Sequence, residues 1–106
     1  MRETSRTAPI FAALGDETRL ALVARLSSDG PLSITRLTAG SAVTRQAVTK
    51  HLNVLATVGL VSDVRRGREH IWEFESKQVE AARSYLEHVS KRSDEALDRL
   101  KKFVEE

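Results

Sequence analysis

PLSITRLTAGSAVTRQAVTKHLNVLATVGLVS, residues 31–62, contains two short helical patterns parted by a glycine-containing turn, and no aspartate or glutamate. Charged residues make up 30% of the chain, so a run of this length without an acid is a departure from the rest. Ser33 suits the cap of a short helix whose inner residues are Ile34 and Leu37, and Ala39-Gly40-Ser41 reads as the turn. Thr44 suits the cap of a second helix running to about Val58, with Gly59 at the position after its end and Leu60 closing the hydrophobic contact there.

On a wheel of 100° per residue, Val48, Leu52 and Leu55 fall on one side of this second helix and must face a core. Gln46, Thr49, Lys50, Asn53 and Thr57 occupy the other side, and Arg45 lies at the edge of the core stripe, in the first turn. A helix-turn-helix places the start of its second helix in the major groove, which brings Thr44, Arg45, Gln46 and Thr49 closest to base edges. Arginine can bond guanine O6 and N7 together, glutamine or asparagine can bond adenine N6 and N7, and threonine offers a methyl to thymine. Lys50, the hydroxyls of Ser33 and Ser41, and the helix N-termini suit phosphates. A solvated helix face usually mixes in acids, and this one has none. His51, at the boundary between core and groove face, suits either a phosphate contact or a hydrogen bond that positions the helix.

Beyond this unit, Val61–Arg65 and Glu69–Phe74 alternate apolar and polar residues, although Ile71-Trp72 breaks the strict pattern. Arg66-Gly67-Arg68 between them reads as a hairpin turn. Arg65, Arg66 and Arg68 at its tip suit a wing that touches phosphates or the minor groove. Charge also protects an exposed edge hairpin from aggregation, and both readings can hold. Trp72 is expected in the core of the wing. With one Trp, one Tyr and three Phe, a single-strand binder relying on base stacking is not expected.

Toward the N-terminus, residues 1–6 are expected to fray. Thr7 caps a short helix with Pro9 in its first turn, Ile10, Phe11 and Leu14 share a face, and Gly15 ends it. Asp16 caps a further helix, Glu17 to about Ser28, with the stripe Leu22, Val23, Leu26, before the break Asp29-Gly30-Pro31. Toward the C-terminus, Val79, Ala82, Leu86, Val89, Ser93, Ala96, Leu100 and Phe103 alternate steps of three and four, a heptad seam over Ser76 to about Val104. Glu95 with Arg99 and Asp98 with Lys102 support that helix at i,i+4 spacing. A helix this long leaves its seam exposed in a single copy, and exposed apolar stripes mark partner surfaces. The alternative is that it folds back over its own domain. We expect self-association, through Ile10, Phe11 and Leu14 of the first helix and Val79, Ala82, Leu86, Val89, Leu100 and Phe103 of the last.

The fold class expected is therefore mainly α with a small β-hairpin: a winged helix-turn-helix with a long C-terminal dimerisation helix. Residues 1–106 form one domain, divided into N-terminal helices (8–28), helix-turn-helix (33–58), hairpin wing (61–74) and last helix (76–104). The net charge of +2 lies wholly in residues 31–75, with six basic and four acidic residues, whereas 1–30 and 76–106 are balanced. That asymmetry favours a polyanionic partner. No cysteine is present, which excludes disulfides, thiol redox sensing and thiolate metal sites. There is no apolar run long enough to span a membrane, and the polar start Met1–Thr7 lacks the apolar core of a signal peptide, so a cytoplasmic location is expected. No glycine-rich phosphate loop and no Ser/His/acid set at recognisable spacing suggests an enzyme, and no cofactor is implied.

From Ala8 onward the chain resembles the ArsR-type, or arsenic-repressor-like, winged helix-turn-helix repressors of bacteria. Leu14-Gly15-Asp16-Glu17-Thr18-Arg19 is similar to that family's opening signature, and Leu32-Ser33-Ile34-Thr35-Arg36-Leu37 to its third helix. The stretch from Thr44 to Leu52, with Leu55, Gly59 and Leu60-Val61, resembles its recognition helix and exit, and Gly67-Arg68 with Trp72 and Phe74 its wing. The resemblance implies a homodimer through the first and last helices, and repression by occupying an operator on double-stranded DNA. It departs at the sensory sites. Metal-sensing members use cysteines in the third helix, where this chain has only hydroxyls and Arg36; others use carboxylates and histidines on the last helix, where this chain has His88 alone. No metal is therefore expected. His70 and His88 are expected at the surface. An inducer of unknown identity is compatible with the reading, bound in an apolar pocket between the long helices. The competing reading is a protein-interaction module with the same fold and no salt-sensitive affinity for duplex DNA.

Overall fold

The computed structural model describes residues 2–105. In chain order these form α1 (Arg2–Leu14), α2 (Glu17–Asp29), β1 (Leu32–Ser33), α3 (Ile34–Thr38), α4 (Arg45–Thr57), β2 (Val61–Arg66), β3 (Glu69–Phe74) and α5 (Ser76–Glu105). Helices α2, α3 and α4 pack on one face of a three-stranded antiparallel sheet of order β1-β3-β2, and α1 packs on α5. The core joins Leu22, Val23 and Leu26 of α2, Ile34 and Leu37 of α3, and Val48, Leu52 and Leu55 of α4 to Leu60, Val61 and Trp72. All three apolar stripes expected of these helices therefore point inward.

The exit from α4 shows how local chemistry fixes a helix end. Gly59 N–H donates to Ala56 O and Leu60 N–H to Leu55 O, each at 3.0 Å, which satisfies two carbonyls the helix leaves open. Leu55 and Leu60 are both fully buried and close the hydrophobic contact of that motif. The turn needs a left-handed backbone at Gly59, whose φ is 79°. A Cβ there would also lie 3.1 Å from Gln78 Cγ. Gly59→Ala is expected to lower stability by about 1–2 kcal/mol, the cost of a side chain in the left-handed region, with Gly59→Asn costing less; chemical denaturation of the two variants checks the order. Glu75 N–H then donates to Leu60 O at 3.0 Å, tying the end of β3 to the end of α4.

Four features differ from the sequence reading. Helix α1 starts at Arg2, not after Thr7, and carries Pro9 inside it; Met1, expected to fray, lies outside the described residues. Tertiary contacts outweigh the local cap signal: Thr7, Ile10 and Ala13, at steps of three, are buried, and Thr4 Oγ1 lies 3.2 Å from the Tyr85 hydroxyl of α5. The sheet has a third strand. In β1, Leu32 pairs with Trp72 and Ser33 with Ile71; two residues are too few to show alternation. The turn of the hairpin is Gly67-Arg68 alone, since Arg66 pairs with Glu69 as the last pair of the ladder. Gly67, with φ 64°, occupies the first turn position, where two-residue hairpins favour a positive φ. Finally, Ile10 and Ala82, expected on a surface between copies, are buried at 3% and 6% exposure within one chain. They belong to the α1–α5 contact itself, because the seam is wider than the face a single partner covers.

Helix α5 spans about 45 Å at 1.5 Å per residue. Its first turns rest on α1; Leu86, Val89, Leu97, Leu100, Phe103 and Val104 are exposed, Phe103 at 78%. The helix does not fold back, and the molecule measures 69 × 27 × 20 Å. No helix among the described residues is long and apolar enough to cross a membrane.

Candidate nucleic-acid interface

Thr44 Oγ1 accepts from Ala47 N–H at 3.1 Å and starts α4. That cap sets which residues of the first turn face outward. Arg45, Gln46, Thr49, Lys50 and Asn53 together line a shallow groove along the outer side of α4. The structure therefore brings together five of the residues expected to read or grip DNA. Arg45 and Lys50 have no ion-pair or hydrogen-bond partner among the described residues, so their charge is not spent within the chain. Thr49 donates its hydroxyl proton to Arg45 O at 2.8 Å, which leaves its methyl and oxygen lone pairs for a ligand.

Ser33 does not line this groove. It is half-buried at the β1–α3 junction, where its hydroxyl oxygen accepts from Arg36 N–H at 3.2 Å. Its proton remains available to a phosphate. Ser41 Oγ similarly accepts from Val43 N–H at 3.0 Å in the turn before α4.

His51 resolves differently from the rest of the face. Its Nδ1 lies 3.5 Å from Arg19 Nη1 and 3.8 Å from Asp16 Oδ2. Arg19 Nε donates to Ala13 O at 2.7 Å and its Nη2 to Ala12 O at 3.5 Å. This cluster ties the end of α1 and the start of α2 to the middle of α4 through His51. Sequence reasoning found Asp16 as a cap and missed its tie to α4, and it left Arg19 without a role.

Asp16 Oδ2 accepts from Arg19 N–H at 3.0 Å. That hydrogen bond holds its carboxyl below the ordinary value of 3.8; burial opposes the shift, and the charges of Arg19 and His51 and the Thr18 N–H add to it. A carboxyl with a lowered folded-state pKa favours the folded chain when ionised. Its contribution is thus present above the unfolded-state value and lost as pH falls through the lower folded value. Asp16→Asn is expected to flatten the acid limb of the stability–pH curve, measured by thermal melts below pH of about 4.

The wing places its three arginines in three directions. Arg65 is paired with His70 on the face that carries Trp72, Arg66 with Glu69 on the opposite face, and Arg68 occupies the turn. All three are exposed, and none has a partner among the described residues. The nearby acid Asp63 is engaged by His70, whose Nε2 lies 2.7 Å from Asp63 Oδ2. His70 also stacks on Trp72, with centroids 4.9 Å apart, so it is half-buried, not a free surface residue.

Residues 14–64 match a helix-turn-helix domain family. The chain is 37% identical over 76 residues to YuzN, an uncharacterized HTH-type transcriptional regulator of Bacillus subtilis (strain 168), covering 66% of this chain and 83% of that protein. Its fold matches an ArsR-like transcriptional regulator from Rhodococcus sp. RHA1 with a TM-score of 0.85 and 32% identity, over 97% of this chain and 96% of that one. The chain belongs to the ArsR-type winged helix-turn-helix transcriptional regulators. The fold, at 18% identity and a TM-score of 0.65, also resembles the homodimeric winged helix-turn-helix DNA-binding domain of Mb0332 from Mycobacterium bovis, over 82% of this chain and 80% of that one. As an ArsR-type regulator the chain has hydroxyls and Arg36 where metal-sensing cysteines would stand in α3. Among its described residues no three His, Cys, Asp or Glu side chains are grouped to hold a metal ion.

Proposed function

We propose that this protein is a homodimeric repressor that reads an inverted-repeat operator on double-stranded DNA. The observation that supports this most is the α4 face: Arg45, Gln46, Thr49, Lys50 and Asn53 line one groove, on the second helix of a helix-turn-helix, without an acid among them. Thr44, Arg45, Gln46, Thr49 and Asn53 read base edges in the major groove; Lys50 and Ser33 hold phosphates; His51 orients the helix. Arg65, Arg66 and Arg68 reach the flanking backbone or minor groove. The exposed stripe Leu86, Val89, Leu100 and Phe103, with half-buried Phe11, Leu14 and Val79, pairs with a second copy. A two-fold dimer then reads half-sites about 10 bp apart or a multiple of this.

The test is titration of the protein against labelled duplex from upstream of its own gene and against a shuffled duplex, at two salt concentrations. Preference for the native duplex that weakens with salt is expected. Absence of binding to either duplex at low salt overturns the proposal and leaves the protein-interaction module as the reading.

A further inference from the structure

The packing of α1 on α5 leaves two flanks of opposite character. One is a groove whose apolar lining of Phe11, Leu14, Val79 and Leu86 was assigned above to a second copy, with buried Ala82 beneath it. The other is a notch lined by Arg6, Thr7, Ala81, Ser84, Tyr85 and His88. Ala81, Ser84, Tyr85 and His88 follow the i, i+3, i+4, i+7 spacing of one helix face. That face lies about 120° around α5 from the stripe Val79, Ala82, Leu86, Val89. A partner seated on the stripe leaves the notch open.

The chemistry of the notch is one-sided. It offers a guanidinium, an imidazole and the hydroxyls of Ser84 and Tyr85, and among the described residues no carboxylate lines it. Arg6 and His88 are exposed, and neither has a hydrogen-bond or ion-pair partner among the described residues. Thr7 is buried in its floor at 5% exposure. Tyr85 is a fixed wall: its ring lies 6.2 Å from that of Phe11 at a tilt of 59°, and its hydroxyl lies 3.2 Å from Thr4 Oγ1. Two donors of positive or polar character, one from each helix, line a space that no described side chain neutralises.

We propose that this notch binds one small oxyanion per chain, a carboxylate or phosphate group, held by Arg6 and His88 with the Ser84 and Tyr85 hydroxyls as further donors. The anion bridges α1 and α5, the two helices that carry the self-association surface. Neither Arg6, read from the sequence as part of a frayed end, nor His88, read as a surface residue, carried this signal alone; the fold brings them together.

Isothermal titration of the full chain with sodium phosphate, and separately with sodium benzoate, tests this, with sodium chloride of matched ionic strength as the control. Saturable binding of at least one of the two, at one per chain, is expected. Arg6→Ala should weaken it about ten- to a hundred-fold, the range for one hydrogen bond to a charged group. His88→Gln should weaken it too, while Arg83→Ala, at the rim of the apolar flank, should leave it unchanged. Saturation by phosphate alone or by benzoate alone names the anion class. No saturable heat above the chloride control, or affinity that survives Arg6→Ala in a variant with an unchanged circular dichroism spectrum, overturns the proposal. The readout contains no DNA, so its failure leaves the operator reading standing.

Discussion

Trp72→Ala is expected to remove about 3–5 kcal/mol of folding stability, the range for deleting a large buried aromatic. Trp72 is 2% exposed on the central strand β3, paired with Leu32 of β1 on one side and Asp63 of β2 on the other. Its loss opens a cavity beneath α2 and α3 and removes the ring on which His70 stacks. The indole Nε1 has no hydrogen-bond partner among the described residues, so no polar contact to them is lost with it. Trp72→Phe should therefore cost clearly less than Trp72→Ala, because most of the apolar volume stays and an unpaired buried donor disappears. Urea unfolding followed by far-ultraviolet circular dichroism ranks the variants. A Trp72→Ala loss no greater than that of Val64→Ala, an exposed strand residue on the other face of the sheet, would show that the sheet is not anchored through this ring.

Changes on the outer face of α4 should separate two kinds of contact. Arg45→Ala and Gln46→Ala should each reduce discrimination between operator and shuffled duplex by about 1–3 kcal/mol, the value of one good bidentate base contact. Both side chains are exposed in the first turn of α4 and line the groove, so their removal should leave stability nearly unchanged. Arg66→Ala on the wing should weaken all duplexes alike and lower the salt slope by about one unit, as expected for a lost phosphate contact. Equilibrium titrations with both duplexes over a series of salt concentrations distinguish the patterns. Unaltered discrimination in Arg45→Ala and Gln46→Ala alike would remove α4 from the groove.

The sequence was legible where a local rule and a tertiary demand agree. Ser33, Asp16 and Thr44 cap the helices they were expected to cap, and Gly59-Leu60 closes α4, because each position satisfies backbone groups within a few residues of itself. The acid-free face of α4 was legible for the same reason: one helix period places its members together. What escaped depends on distant partners. The early start of α1 rests on Thr4 meeting Tyr85, which lies on the other side of the fold in sequence. Strand β1 exists only because Trp72 and Ile71 offer it a ladder. The role of His51 needs Asp16 and Arg19, which no spacing rule connects to it. The heptad seam ran through Ala82 in the sequence, whereas packing against the chain's own core takes Ala82 out of it and leaves Leu97 and Val104 on the open side.

The projecting half of α5 makes concentration a structural variable. From Lys91 to Glu105 every residue of the helix is exposed, beyond the stretch that packs on α1. An isolated helical segment of about 15 residues is marginal in water, since nucleation is costly and most helical stability comes from packing. In the proposed dimer its last turns gain order by mass action: a second copy covering the Leu97–Leu100–Phe103 stripe binds the helical form and not the melted one. Dilution and fraying of this segment are then one equilibrium. If the proposed dimer forms through this stripe, the abundance of the protein sets how far its longest helix extends.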